Sequence, residues 1–451
     1  MFDTKIIRKL HKVEMHRLLY RYKYRIQGKE PKKLVCIING LTGTGKTTFA
    51  LDYFSDKKYF YFSFLGLNEE MAEILFAERI SEYAKEKVNG WVDCFIKLAE
   101  SYSVLILDDL TSISSYKRFH SAFYENTFPF KRSRPLTVLI THPTDNIDGL
   151  FDDYSHMNMT YFNMPEVKDI FTKLSKMDQL GLCAVSGGIP DILSEYDIES
   201  SFEDNLRKML KPSSAFINYM QKLLSNYFRK PDNYNYILSA ITCGHHSISE
   251  IGKYTGFAYN KCDNYLTSLI GCGIVKPKTV SSKSGAEKTS YILTNNYYRI
   301  WYRYVYKAHS DIQLSTISVT NDIIHAIIDR EIHKFHVQKA HEYVEKRISS
   351  HGIKRSFISN QPYKVKSGNF EFTFDGITRN EKIAVLIKVL EDPEDNGGRE
   401  TLEKIRKAVS LANIYYNSHV YIFAKRRFSD HTKKQASYDE VLSLVGVEQL
   451  R

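Results

Sequence analysis

No stretch of the chain approaches the roughly 18 consecutive apolar residues that a membrane-spanning helix needs, so no such span is expected. Cysteine is sparse and scattered. Cys36, Cys94, Cys183, Cys243, Cys262 and Cys272 form no CxxC pair and no Cys/His zinc spacing. That argues against a disulfide framework and a structural zinc, and it fits a reducing cytoplasm. The first residues, MFDTKIIRKLHKVEMHRLLYRYKYR, carry charge throughout and no apolar segment, so no secretory signal is expected. Internal repeats and low-complexity tracts are absent too.

The composition is that of a globular chain: 43% hydrophobic and 25% charged over 451 residues, enough for about three domains. Sixty-three Lys+Arg face 52 Asp+Glu, a net charge of +11. Such a balance suits an acidic partner such as nucleic acid, and equally an ordinary basic cytosolic protein.

Residues 1–30 read as an amphipathic basic helix ending near Gly28 and Pro31. LVCIING is a continuous apolar run of the kind a buried parallel strand requires. Further strands are expected at 57–64, 103–110 and 135–142, with a fifth around 159–164 (MTYFNM). Helical stretches between them imply a doubly wound α/β domain. From Pro165 to Arg229 the pattern is helical, broken at SGGIP (186–190). Residues 231–310 read as short helices, then helix, strand, basic turn and strand. After a helical linker come helix HVQKAHEYVEKRI, strands NFEFTFDGI and KIAVLIKVL, helix TLEKIRKAVSLANIYY and strand HVYIFA.

Gly40-Leu41-Thr42-Gly43-Thr44-Gly45-Lys46-Thr47 fits G-x-x-x-x-G-K-[ST], entered from the apolar run and left through the helix TTFALDYF. Glycines let backbone N–H groups curl around phosphate oxygens. The helix N-terminus, reaching Thr48, adds partial positive charge. Lys46 reaches the β- and γ-phosphates as a point charge, and the Thr47 hydroxyl is a hard ligand for Mg²⁺. Asp108 and Asp109 close the run VLIL, at the carboxyl end of a strand, where open α/β sheets bind ligands. Asp108 is expected to hold Mg²⁺, and Asp109 to polarise an attacking water. Thr141 ends the next strand before His142. It either senses the γ-phosphate or simply caps the strand.

Together GLTGTGKT, LILDD, LITHP, the helices after MPEVKDIF and SGGIPDIL resemble the archaeal-type AAA+/STAND ATPases of archaea and bacteria. LSAITCGHHSISEIGKYTGFAYNKCDNYLTSLIGCGIVKP, followed by YILTNNYYRIWYRYV, resembles their winged-helix region and the start of their C-terminal domain, which is regarded as related to PD-(D/E)XK nucleases. The likeness covers nearly the whole chain. It implies a P-loop ATPase core over 1–164, a helical lid over 165–230, a winged helix over 231–310 and a nuclease-like domain over 311–451. It also implies ATP and Mg²⁺ as cofactors. Gly188 and Pro190 of the lid motif are implied to lie over the nucleotide and couple its state to the winged helix. Relatives often carry Gly-Arg before the fifth strand, but NIDGLFDDYSHMN holds no arginine. Arg132 and Arg134, in a charged loop before the fourth strand, are the nearest. A trans-acting arginine finger is therefore not expected, and hydrolysis is expected to be slow.

A winged helix sets one helix in the major groove and a basic hairpin beside the backbone. The candidate helix is FAYNKCDNYLTSLI (257–270), with Asn260, Lys261 and Asn264 outward. The candidate wing carries Lys276, Lys278, Lys283 and Lys288. Residues 231–310 hold nine Lys+Arg against four Asp+Glu, which suits phosphate contacts. In this ATPase class the same segment also packs against the lid and only transmits motion. The tyrosines of NNYYRIWYRYVYK suit either base stacking or packing between helices. A PD-(D/E)XK site needs an acid and then an E-x-K pair. Asp375 ends FTFD, but Leu386-Ile387-Lys388 stands where the pair is required; in the other register Lys388 replaces the Glu and Leu390 the Lys. Asp375 with Glu342 makes a poor metal site, so a fold that has lost catalysis is expected.

The expectation is a cytoplasmic, Mg²⁺-dependent ATP-binding switch with slow ATPase activity and an unknown protein partner. Double-stranded DNA is a second partner, through the winged helix. The competing readings are a DNA-binding regulator with a structural nucleotide site, and a metal nuclease.

Overall fold

The computed structural model describes residues 8–25, 35–109, 116–125, 136–143, 145, 154–281, 287–348, 358–359, 362–379, 383–390, 398–412, 418–424, 427–438 and 442–450. Contacts divide the chain into two compact units. The first comprises Met1–Phe162, Ile189–Ser194 and Asn218–Arg303; the second comprises Asn163–Gly188, Glu195–Ile217 and Tyr304–Arg451. The segment expected as a lid is thus shared between them.

The chain begins α1 (Lys9–Arg25), β1 (Val35–Asn39), α2 (Lys46–Tyr53), β2 (Tyr59–Ser63), α3 (Glu69–Ala84), α4 (Gly90–Ser101), β3 (Val104–Asp108), α5 (Lys117–Glu125), β4 (Leu136–Thr141) and β5 (Ser155–Asn158). The five strands form one parallel sheet in the order β2-β3-β4-β1-β5. Strands β3 and β4 are buried along their whole length, as a sheet covered on both faces demands. Alternation sends Val35 and Ile37 to one face and Cys36 and Ile38 to the other. From β1 the chain crosses to β2 on one side; from β4 it crosses to β5 on the other. β1 and β4 are neighbours from which the chain leaves in opposite directions along the sheet, the arrangement beside whose carboxyl ends open α/β sheets bind ligands.

One face is covered by an aromatic core. Phe76 of α3 lies 5.3 Å from Phe60, 4.9 Å from Phe62, 5.1 Å from Trp91 and 5.9 Å from Phe95. The other face packs Met15, Phe49, Ala50, Ile106, Ile140 and Met157. Because Phe76 is fully buried, Phe76→Ala is expected to cost about 3–5 kcal/mol. Denaturant unfolding against the wild type measures it.

The fifth strand corrects the expectation of one at 159–164. It lies at 155–158, where Met157 is its sole buried side chain. Within MTYFNM, Tyr161 shares hydrogen bonds with the hydroxyls of Tyr219 (2.8 Å) and Tyr298 (2.9 Å). Asn163 instead caps the next helix, reciprocally with Glu166.

The chain continues α6 (Met164–Ile170), α7 (Lys176–Ser186), α8 (Pro190–Ser194), α9 (Phe202–Met209), α10 (Ala215–Tyr227), α11 (Asp232–Thr242), α12 (Ile248–Thr255), α13 (Tyr259–Gly271), β6 (Val275–Ser281) and β7 (Glu287–Leu293). In the first unit α11, α12 and α13 pack on one another over Ile237, Ile241, Ile251, Leu266 and Leu269, and β6 pairs antiparallel with β7. Tyr297, Tyr298, Trp301 and Tyr302 are fully buried. Packing is therefore the role these aromatics take, not base stacking.

The C-terminal elements are α14 (Asn296–Ile300), α15 (His309–Gln313), α16 (Ile317–Ala326), α17 (Ile332–Glu345), β8 (Ile358–Ser359), β9 (Tyr363–Ser367), β10 (Phe370–Phe374), β11 (Gly376–Arg379), β12 (Ala384–Val389), α18 (Arg399–Leu411), β13 (Ser418–Ala424), α19 (Asp430–Ser437) and β14 (Leu442–Gly446). The second unit holds a mixed sheet, β14-β13-β12-β11-β8, in which β12, β13 and β14 run parallel and β11 antiparallel. Among the described residues no helix is long and apolar enough to cross a membrane. All six cysteines are free.

Candidate functional site

β1 ends at Asn39 and the chain turns at once through Gly40–Gly45 into α2. A Cβ on Gly40 would collide with the Met159 carbonyl. Gly43 (φ +76°) and Gly45 (φ +83°) adopt the left-handed backbone that glycine alone takes freely. Thr44 ties the turn to itself, its hydroxyl donating to Leu41 O at 2.8 Å. Arg8 of the N-terminal segment supports the turn from outside. Its Nη2 donates to Thr44 O at 2.6 Å, and its guanidinium lies 4.0 Å over the Phe162 ring.

Lys46 opens α2 and is 5% exposed. Its Nζ donates to Gly40 O at 2.7 Å and Leu41 O at 2.9 Å, and approaches His142 Nδ1 at 3.4 Å. Burial lowers its pKa to about 8, against the pull of Asp108, Asp109 and Asp145. The ammonium is thus poorly solvated, and a phosphate would stabilise it strongly.

Strand β3 delivers both carboxylates to the same end of the sheet. Thr47 Oγ1 donates to Asp108 Oδ2 at 2.5 Å, and the Tyr61 hydroxyl reaches the same oxygen at 3.2 Å. Burial pushes the Asp108 carboxyl upward, against the Thr47 hydrogen bond. A hydroxyl touching a buried carboxylate is a donor set suited to a hard divalent cation such as Mg²⁺. Asp109 has a left-handed backbone, φ 57°. Its N–H donates to Asp108 Oδ1 at 2.8 Å, and Ser63 Oγ donates to its Oδ2 at 2.7 Å. The neighbouring His142 lowers its pKa, aided by Ser63 and opposed by burial.

Gly40 through Thr47, Asp108 and Asp109 therefore converge at one edge of the sheet. Thr48 is exposed on α2. Thr141 is buried, and its hydroxyl donates to Asn39 Oδ1 at 3.3 Å, within the sheet. The next residue, His142, is the one that reaches Lys46 and Asp109. Gly187 and Gly188 both take the left-handed backbone, and the Gly188 N–H donates to Ser186 Oγ at 3.1 Å. Gly188 belongs to the second unit, and Pro190 begins α8 in the first. Arg132, Arg134 and Lys283 lie outside the described residues.

Two tyrosines of α10 complete the loop's surroundings. The Tyr219 hydroxyl donates to Thr42 O at 2.6 Å, and the Tyr227 hydroxyl accepts from Thr42 N at 2.9 Å. No local signal marked either one. They sit 177 and 185 residues beyond Thr42.

In the second unit the Asp375 carboxylate is already engaged. Val389 N donates to its Oδ2 at 2.7 Å, and Lys388 Nζ lies 3.6 Å away while donating to Thr373 O. Glu342 accepts from Lys339 at 2.7 Å. Among the described residues no group of three or more His, Cys, Asp or Glu is arranged to hold a metal.

No family model matches the chain. A curated protein of Methanocaldococcus jannaschii, the uncharacterized protein MJECL04, is 22% identical over 295 residues, covering 61% of this chain. The match spans 65% of that relative, under two thirds of its length. Among solved structures, the Walker-type ATPase PABY2304 of Pyrococcus abyssi aligns with a TM-score of 0.47 and 14% identity, over 67% of this chain and 96% of that one. The Aeropyrum pernix ORC1 protein in complex with DNA gives 0.33 and 12%, over 70% and 92%. The Thermotoga maritima RuvB Holliday junction branch migration motor gives 0.32 and 14%, over 64% and 93%.

Proposed function

We propose that this chain binds MgATP at the Gly40–Thr48 loop and hydrolyses it slowly, as a nucleotide-controlled switch. The observation that carries this reading is the meeting of the Lys46 ammonium, the Thr47–Asp108 pair and Asp109 at the carboxyl ends of β1 and β3. Loop amides and the N-terminus of α2 hold the phosphates. Lys46 gives its remaining N–H to a phosphate oxygen. Thr47 and Asp108 would hold Mg²⁺, which when bound neutralises phosphate charge. Asp109 orients a water: the water oxygen bonds to the γ-phosphorus, the bond to the ADP oxygen breaks, and the water proton leaves by way of the carboxylate. A carboxylate of lowered pKa suits orientation better than early proton removal.

Gly188 and Pro190 serve as lid residues in this reading. The 231–310 segment and the C-terminal domain, a nuclease-like one without catalysis, report the nucleotide state to a protein partner in the cytoplasm. Titration calorimetry tests the core of it. Heat on adding MgATP is expected, and its absence with every nucleoside triphosphate overturns the reading. Asp108→Ala is expected to weaken MgATP binding at least about tenfold and to erase the benefit of added Mg²⁺.

A second reading has its own observation. Asn260, Lys261 and Asn264 are exposed on α13, and Lys276, Lys278 and Lys288 are exposed on the β6–β7 hairpin. That array suits a winged helix on duplex DNA. It predicts salt-steep duplex binding that ignores ATP. One titration of labelled duplex, with and without ATP and Mg²⁺, separates the two. For the C-terminal domain, plasmid left intact with Mg²⁺ or Mn²⁺ is the expected result.

A further inference from the structure

We propose that the solvent face of α3 is a docking surface for a basic amphipathic helix of a protein partner. The surface lies within the first unit, and the inference does not depend on the ATPase reading.

α3 buries one face, Ala72, Phe76, Ala77 and Ile80, in the aromatic core. The opposite face presents Met71, Ile74 and Leu75, which are 49%, 53% and 38% exposed. Spacings of three and four residues make them neighbours on the helix surface. A lone exposed apolar side chain needs no explanation, but three neighbours on one helix mark an interaction surface. Beside them runs a groove of about 800 Å³. Ile74, Ala77 and Val88 line it, with Asn89 and Gly90 at the start of α4 and Arg118 of α5.

The charge around the groove states what fits. α3 carries five glutamates and one arginine, in a chain of net charge +11. Two of the glutamates hold the neighbouring helices. Glu69 Oε1 accepts from Phe119 N at 2.8 Å in α5, and Glu73 Oε1 accepts from Trp91 N at 3.2 Å in α4. Glu73 Oε2 also pairs with Arg118 at 3.2 Å. The other three, Glu70, Glu78 and Glu82, line the groove and make no ion pair among the described residues. Glu78 and Glu82 stand one turn apart, where like charges repel. Glu82 also sits in the last turn of α3, where the helix dipole disfavours an anion and no basic residue offsets it. The helix gains nothing from these two acids, whereas cations of a partner would answer both.

The lining also selects the mode of binding. Ser81, the one hydroxyl in it, is engaged: Oγ donates to Ala77 O at 2.7 Å and accepts from Val88 N at 2.9 Å. No buried polar side chain of the lining is left to fix a small molecule. A strand would need an open sheet edge, and this groove is walled by helices. A helix needs neither. Its apolar side chains at i, i+3 and i+4 would cover Met71, Ile74 and Leu75. Its lysines or arginines would meet Glu70 at one end and Glu78 and Glu82 at the other.

The test pans random 16-residue peptides, displayed on phage, against the full chain. Selected peptides are expected to repeat apolar residues at helical spacing and to carry net positive charge. They are expected to bind a Met71→Ser/Ile74→Ser/Leu75→Ser variant at least about tenfold more weakly. Glu78→Gln/Glu82→Gln is expected to weaken them about three- to tenfold and to flatten the salt dependence. Glu400→Gln/Glu403→Gln on α18 controls for non-specific attraction and is expected to change nothing. All of these side chains are exposed, so the variants are expected to fold. The glutamine pair at 78 and 82 decides alone should the triple variant fail to do so.

A selection that yields no binder overturns the inference. So do acidic or unpatterned binders, and binders that grip the α3 variants as tightly as the wild type. Sedimentation at rising concentration tests the rival occupant. Dimers that the triple variant abolishes would put a second copy of the chain on this face, and the proposed partner would fall; a monomer throughout leaves the face to the partner.

Discussion

Lys46→Ala is expected to abolish detectable MgATP binding, a loss of at least about a hundredfold. The ammonium is 5% exposed and held by two loop carbonyls. Its removal leaves phosphate charge at the loop with no partner of opposite sign on α2. Lys46→Met serves as the control for folding. It keeps the apolar stem and discards a charge that burial already disfavours, so it is expected to melt no lower than wild type while losing binding equally.

The same burial makes binding depend on pH, and the sign can be worked out. Asp108 and Asp109 from β3, with His142 and Asp145 after β4, surround the ammonium, yet its pKa still falls from 10.5 to about 8. Bound phosphate favours the charged form and raises that pKa. Binding above pH 8 must therefore take up a proton. Affinity is expected to be flat below about pH 8 and to fall by up to about tenfold per unit above it. Calorimetry at pH 7 and pH 9 reads this directly; equal affinities would contradict it. For the free chain the linkage runs the other way. Between pH 8 and 10.5 the folded state binds fewer protons at Lys46 than the unfolded state, so this residue's unfavourable contribution shrinks as pH rises through that window.

The readable parts of the site were those whose chemistry is local. An apolar run, a glycine turn and a lysine at a helix start lie next to one another in the chain, and each constrains its own backbone. Asp108 and Asp109 were readable because a buried strand ending in two acids has few other uses. The fifth strand was not: SHMN buries one side chain and so shows no apolar run. Thr141 was open to two readings, γ-phosphate sensor or strand cap, because it ends the strand. In the sheet its side chain turns to Asn39, and the following residue turns to the crevice. Tyr219 and Tyr227 escaped notice because α10 is brought to Thr42 by tertiary packing alone. The division into units was hidden for the same reason, since segments from 163–188 and 195–217 fold with the far C-terminal part.

Asp109→Asn should separate binding from hydrolysis. Asparagine is nearly isosteric and tolerates the left-handed backbone that position 109 requires, so the turn after β3 survives. Its amide oxygen can still accept from Ser63 Oγ. What disappears is the negative charge that aligns water and receives its proton. The rate of ATP cleavage is expected to fall about 10²–10⁴-fold, the scale of one positioned proton acceptor. Affinity is expected to hold or to tighten slightly, because a carboxylate no longer faces the triphosphate. Lys46→Ala removes binding and with it every later step; Asp109→Asn should leave a chain arrested with ATP in place. Turnover at the wild-type rate would remove Asp109 from the proposed chemistry and leave Lys46, Thr47 and Asp108 as a binding site only. Arrest would also supply the form in which a partner of the nucleotide-bound state can be captured, since the bound form would no longer decay by hydrolysis.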